Sequence, residues 1–353
     1  MHYLYIASMS GYSGKSLITL GLGLLFRQKG IRIGYVKPYG RIPLQQDDRV
    51  IDADAEFMRK ALEIVEPPEV VSPFVVTPEI QNGLLQGMPS DRFDDIRSAF
   101  AAVTGKDVVL VGGGADLYEG ATFGVNSLKL IRFLAARTMI VEPWSGDSSI
   151  DSIAGARELL GGNFLGAVIN KVPQAAHDYV KNSVRPFLEK RGIPVYAALH
   201  RDILLDSITV RQLKDILNGK VLCGEEGMDE FIEAFSIGAM DVDSALRYFR
   251  RTPHKAVITG AHRSDIQIAA LETSTRCLVL TGGICTNEVI LSKAKTAGTP
   301  VISVYEDTYS TVEKIESVLG KIRIREQKKV TKTREIMDRE FDFGRLLGDL
   351  GLR

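Results

Sequence analysis

Apolar residues along this chain come in short blocks separated by stretches of helical spacing. Tyr3 to Ala7 is a compact, aromatic-rich apolar run of the kind that forms a buried strand. A Ser/Gly stretch, Ser8 to Ser16, separates it from Leu17 to Gln28, whose periodicity predicts a helix closed by Gly30. Ile31 to Val36 reads as a second strand, and Ala53 to Ile64 as a helix with Asp52 at its N-cap. The alternation continues with helices over Ser90–Thr104, Asn126–Ala136, Ser149–Leu160 and Asp178–Arg191. Strands are predicted over Asp107–Val111, Thr138–Val141, Leu165–Asn170 and Val195–Leu199. Near-continuous apolar strands alternating with helices predict an α/β fold with a doubly wound parallel sheet, covered on both faces.

Near residue 205 the pattern changes. Thr209–Leu213 opens a helix that ends at Asn218-Gly219. Strands over Lys220–Cys223, Ala256–Thr259, Cys277–Thr281 and Pro300–Val304 then alternate with helices over Asp241–Phe249, Ser264–Thr273, Asn287–Ala297 and Thr311–Leu319. The expected organisation is a first domain over 1–206, a smaller α/β domain over 207–325 and a helical tail over 326–353. In the tail, Ile336, Phe341, Phe343, Leu346, Leu347 and Leu350 recur at helix-like spacings after the basic residues Lys328, Lys329, Lys332 and Arg334. The expectation is a helix docked on the second domain; the alternative is a segment that reaches a partner subunit.

A length of 353 residues fits two domains, and 45% hydrophobic with 25% charged residues is ordinary for a globular chain. Lys+Arg and Asp+Glu both number 44, so there is no whole-chain charge to favour nucleic acid or an anionic membrane as a partner. Cys223, Cys277 and Cys285 lack metal-type spacing and read as buried thiols in a reducing cytoplasm. The longest apolar run, Leu17 to Phe26, is too short to span a bilayer, so a cytoplasmic location is expected.

The chemistry concentrates between the first strand and the first helix. Gly11-Tyr12-Ser13-Gly14-Lys15-Ser16 has the order strand, Gly-rich turn, helix that a phosphate-binding loop requires. Backbone amides from Ser10 onward and the helix N-terminus can surround phosphate oxygens. Lys15 would sit on the β- and γ-phosphates, and the Ser16 hydroxyl would hold Mg²⁺. The full pattern places Gly at position 9, where this chain has Met9, so the loop is a variant; the alternative is a structural turn. Lys37, at the end of the second strand, is a candidate partner for a phosphate or a substrate carboxylate, against a plain surface lysine. Asp52 and Asp54 are candidate oxygen ligands for Mg²⁺, with Asp54 the one assigned to it; the alternative is a helix cap and a solvated acid. Asn170, ending the strand from Leu165, carries an amide suited to a nucleobase edge.

Together, the variant loop, Val36-Lys37-Pro38, the strand ending in Val111-Gly112-Gly113-Gly114, and Asn170-Lys171 resemble dethiobiotin synthetase. They resemble still more closely the dethiobiotin-synthetase-like N-terminal region of long phosphotransacetylases. Gly260-Ala261-His262-Arg263-Ser264-Asp265, followed by Leu280-Thr281-Gly282-Gly283, is similar to the DRTGG domain that follows the P-loop domain there. The resemblance implies a P-loop NTPase-like domain, ATP or a related nucleotide with Mg²⁺ as ligands, and no acetyl transfer by these two units. It also implies an oligomer of identical chains and a separate phosphotransacetylase or other metabolic enzyme as a partner. Two departures stand out. Gly112 occupies the place of the glutamate that helps hold Mg²⁺ in dethiobiotin synthetases, which leaves Ser16, Asp54, water or Glu119. His262-Arg263-Ser264-Asp265 replaces the literal Asp-Arg-Thr-Gly, so Arg263, Ser264 and Asp265 are a candidate second anion site, against an outward Arg beside a helix cap. Three readings follow: a nucleotide-binding regulatory module, an ATP-dependent carboxylate-activating ligase resembling dethiobiotin synthetase or a cobyrinate amide synthase, and a protein-interaction subunit with a vestigial P-loop.

Overall fold

In the computed structural model, which describes residues 1–47, 49–283, 287–319 and 326–352, the chain divides into two units. The first comprises Met1–Arg201 with the C-terminal helices, and the second begins at Asp202. Cys285 and the expected break at residue 325 lie outside the described residues.

The first unit is built on strands β1 (His2–Ala7), β2 (Ile33–Val36), β5 (Val108–Gly112), β6 (Arg137–Pro143), β7 (Phe164–Val172) and β8 (Val195–His200). They form one parallel sheet in the order β2-β5-β1-β6-β7-β8. β1 is therefore central, and its carboxyl end lies between those of β5 and β6, where ligands of open α/β sheets bind. Tyr5, Ala7, Val109, Val111 and Ile140 lie two residues apart along neighbouring strands and share one apolar cluster with Ile96, Phe100 and Leu130 from helices. A hairpin of β3 (Pro43–Gln46) and β4 (Arg49–Asp52) precedes helix α2 (Ala53–Ala61). Periodicity does not reveal this hairpin, because Pro43–Gln46 is exposed throughout and has no buried face.

In the second unit β10 (Lys220–Cys223), β12 (Ala234–Ile237), β13 (Lys255–Gly260), β14 (Thr275–Thr281) and β15 (Val301–Ser303) form a five-stranded sheet ordered β10-β15-β14-β13-β12. β12 to β15 are parallel, and β10 pairs antiparallel with β15. β9 (Ile208–Thr209) and β11 (Phe231–Ile232) form a separate short pair. The sequence pattern missed β12 because four residues at a sheet edge leave too little period to detect.

The tail corrects an expectation. Helices Gln327–Glu340 and Phe343–Asp349 belong to the first unit, whereas docking on the second domain was expected. Met337 is fully buried against α1 (Lys15–Gln28), where a Cβ on Gly21 would lie 2.4 Å from its Cγ. Phe343 packs edge-on to Phe26, and Phe341 stacks on Tyr196 of β8. Helical spacing shows which face of a helix is buried and carries no information about what covers it.

Candidate functional site

The loop that follows β1 starts α1 without a side-chain cap, so the first-turn amides have no side-chain acceptor. Gly14 has a φ of 97° and Tyr12 a φ of 58°, and both left-handed positions fold the backbone into a concave turn. A side chain at Gly14 is excluded twice, by its φ and because a Cβ would lie 2.1 Å from Asn170 Nδ2. This arrangement fits a phosphate group, whose oxygens are the acceptors that uncapped helix amides lack.

Lys15 reaches across the loop. Its ammonium donates to Ser8 Oγ at 2.5 Å and to the Ala115 carbonyl at 2.9 Å, with Ser13 Oγ at 3.4 Å. Burial pulls its pKa down to about 8, against the opposing charges of Glu119, Asp116 and Glu142. Ser16, next in the chain, is exposed at the first turn of α1.

Those three acids are all placed by other contacts. Glu119 accepts from the Ala115 amide and pairs with Arg41 at 3.3 Å. Asp116 Oδ1 accepts from the Tyr118 and Glu119 amides, closing the turn after β5. Glu142, near the end of β6, is 6% exposed, and burial pushes its carboxyl up despite Ser152, the Met9 amide and Lys15. Sequence reasoning found neither Asp116 nor Glu142, since a single acid at a strand end or turn has no spacing to mark it.

Gly112 ends β5 with Tyr35 beside it: a Cβ there would lie 3.0 Å from the Tyr35 hydroxyl. A longer side chain at this position would have to displace that ring. Gly113 is tighter, because its Cβ would lie 2.7 Å from the Ile6 carbonyl. The turn after β5 therefore passes close under β1 as bare backbone.

Asp52 is a fully buried N-cap of α2. It accepts from the amides of Arg41, Ile42, Asp54 and Ala55 and from Lys37 Nζ at 2.8 Å. Burial alone would raise its carboxyl, but the Lys37 charge and these hydrogen bonds hold it below the usual range. Asp54 Oδ2 lies 3.8 Å from the same ammonium. Lys37 and its two acids thus form one cluster, and of the two alternatives for Asp52 the helix cap holds while the solvated acid does not. Among the described residues no group of three or more His, Cys, Asp or Glu is arranged to hold a metal. A Mg²⁺ ion here would rely on Ser16, phosphate oxygens and water, a donor set that suits it.

Asn170 is buried, and its Nδ2 donates to the Ser13 carbonyl at 2.8 Å. Its donor serves the loop rather than facing outward. Asn170→Ala leaves that carbonyl without a partner, at a cost of about 1–3 kcal/mol. The expected result is a melting temperature lowered by roughly 2–4 °C per kcal/mol, and an unchanged melt would show that the bond is dispensable.

In the second unit Arg263 meets Asp265 through both arms of its fork, at 3.0 Å each, and also donates to the Met240 carbonyl. Ser264 and Asp265 begin the helix Ser264–Leu271. The guanidinium is thus already neutralised by its neighbour. Buried Cys223 and Cys277 are free thiols, both held protonated by burial. No helix among the described residues is long and apolar enough to cross a membrane.

The family described as "AAA domain" matches residues 2–209, well over half of the chain. The chain belongs to this family. Its second unit matches the DRTGG domain over residues 212–318, so an AAA domain is followed by a DRTGG domain. A phosphate acetyltransferase of Nitratidesulfovibrio vulgaris is 24% identical over 365 positions, which cover 97% of this chain and 51% of that protein. One of Pseudomonas aeruginosa is 21% identical over 371 positions, with the same two coverages. The chain therefore spans about half the length of these relatives, and the likeness to the N-terminal region of phosphotransacetylases holds. Among solved structures, the CBS and DRTGG domains of the regulatory region of Clostridium perfringens pyrophosphatase cover 45% of this chain and 82% of that one. Identity is 15% and the TM-score 0.30, too low to inform fold or ligand.

Proposed function

We propose that the AAA domain binds ATP or a related nucleotide in the loop Ser10–Ser16 and acts as a regulatory module. The observation that supports it most is the uncapped start of α1, with Lys15 folded over a left-handed turn at Gly14. The neighbouring acids point to binding in preference to turnover. Gly112 carries no carboxylate, and Glu119 and Asp116 are engaged in the turn that they shape. Lys37 is paired with Asp52, which counts against its use on a substrate carboxylate as the ligase reading requires. Mg²⁺ would accompany the phosphates at Ser16, and Asp54 stays a candidate ligand through water. Regulation would act on a phosphotransacetylase or another metabolic enzyme, with the chain itself an oligomer.

The test is calorimetry with Mg-ATP, together with a phosphate-release assay. Saturable binding without steady turnover is expected, and binding should be lost in Lys15→Met. Turnover stimulated by a carboxylic acid would replace this reading with the ligase, and no binding of any nucleotide would replace it with an interaction subunit.

A further inference from the structure

Asn170 spends its amide donor on the loop, so recognition of a nucleobase needs other groups. Its backbone leads to them. The Trp144 amide donates to the Asn170 carbonyl at 2.8 Å, which places Trp144, just past β6, one residue away from the contact with the loop. Trp144 is half-buried, one side of it on the apolar cluster around Ile153 and Ile169. Tyr179, exposed, meets it edge to face with ring centroids 6.1 Å apart. The Tyr179 hydroxyl donates to Asp147 Oδ1 at 3.2 Å. Asp147 precedes the helix Ser148–Leu160 and does not cap it, so its carboxylate is held in place with acceptor capacity to spare.

Resting on the nucleotide reading above, we propose that Trp144 and Tyr179 form the base subsite of the loop. A purine stacks on their rings and turns a ring or exocyclic N–H toward Asp147. Stacking asks only for a planar π-face, and a purine offers more of it than a pyrimidine. The carboxylate accepts and never donates when ionised, so it selects the base edge that carries a hydrogen.

Trp144 is the one tryptophan in the sequence, so its fluorescence reports this site alone. Wild-type protein is titrated with ATP, GTP and inorganic tripolyphosphate, each with Mg²⁺, by Trp emission and by calorimetry. ATP and GTP should change the emission saturably and bind at least about tenfold more tightly than tripolyphosphate, as expected if stacking adds roughly a fivefold to hundredfold gain per base. Trp144→Leu and Asp147→Ala should each weaken purine binding and leave tripolyphosphate binding unchanged. Asp147 is exposed, so its variant keeps the test valid where Trp144→Leu fails to fold. Equal affinity for ATP and tripolyphosphate, or wild-type ATP affinity in Asp147→Ala and Trp144→Leu, would overturn the base subsite and leave the phosphate loop standing. Binding of neither ligand would remove the nucleotide reading and this inference with it.

Discussion

Deletion of the chain from Gln327 onward is expected to leave the AAA domain without a cooperative melt at room temperature. Ile336, Met337, Phe341, Leu346 and Leu350 are all buried, at 7% exposure or less. Each buried side chain of this size contributes about 1.5–3 kcal/mol. Their joint loss rivals the 5–15 kcal/mol that holds a typical domain together, marked here as about that size. The partners left behind are costly too. Phe26 on α1 and Tyr196 on β8 lose their aromatic neighbours. The Tyr196 hydroxyl loses Asp349 at 2.7 Å, and Glu189 loses one of its two arginines, Arg345 at 2.8 Å. Glu340, which accepts from the His200 amide and ring at 3.3 Å, also goes. Circular dichroism melts of the full and shortened chains decide the matter. A shortened chain melting within about 3 °C of the full one would show that the tail is dispensable. Gly21→Leu is the point-mutation counterpart, since its side chain must occupy the place of Met337.

The same tail shows where sequence reading stops. Its amphipathic spacing identified the residues that become buried, and its surroundings came only with the fold, because helical period encodes a face and not an address. The AAA-domain sheet was legible because six strands flanked by helices repeat one pattern, and the loop because Gly14-Lys15-Ser16 sits between a strand and a helix. Asp52 as an N-cap was legible for a local reason: its acceptor bonds run to amides two and three residues on. Its ion pair with Lys37 was not, since it joins two elements across the fold. Asn170 was found but given the wrong orientation. A carboxamide can face a base or a loop equally well, and only the 2.8 Å bond to the Ser13 carbonyl distinguishes them.

Lys15→Met is expected to abolish nucleotide binding and to stabilise the ligand-free protein. The two effects have one cause. The ammonium is kept charged in a buried place without a fully paired acid, which draws its pKa from 10.5 to about 8. The unfolded chain then binds the proton more tightly than the folded one. Below pH 8 the wild type carries the full cost, and between about pH 8 and 10.5 its stability rises as the folded lysine loses its proton first. Methionine keeps most of the packing and removes the charge, so the difference in melting temperature between variant and wild type should be largest below pH 8 and shrink above it. A bound triphosphate reverses the balance: its oxygens favour the charged form and raise the pKa again. Binding at pH 9 should therefore take up a proton, visible as a calorimetric enthalpy that changes with the ionisation enthalpy of the buffer, and affinity should fall as pH rises beyond 8. The affinity loss in Lys15→Met should exceed about a hundredfold, the size of a lost charge-assisted contact in a partly desolvated site. A variant that binds Mg-ATP within threefold of the wild type, or one less stable than the wild type at pH 7, would show that Lys15 is a structural bridge between Ser8 and Ala115 rather than a phosphate ligand held ready.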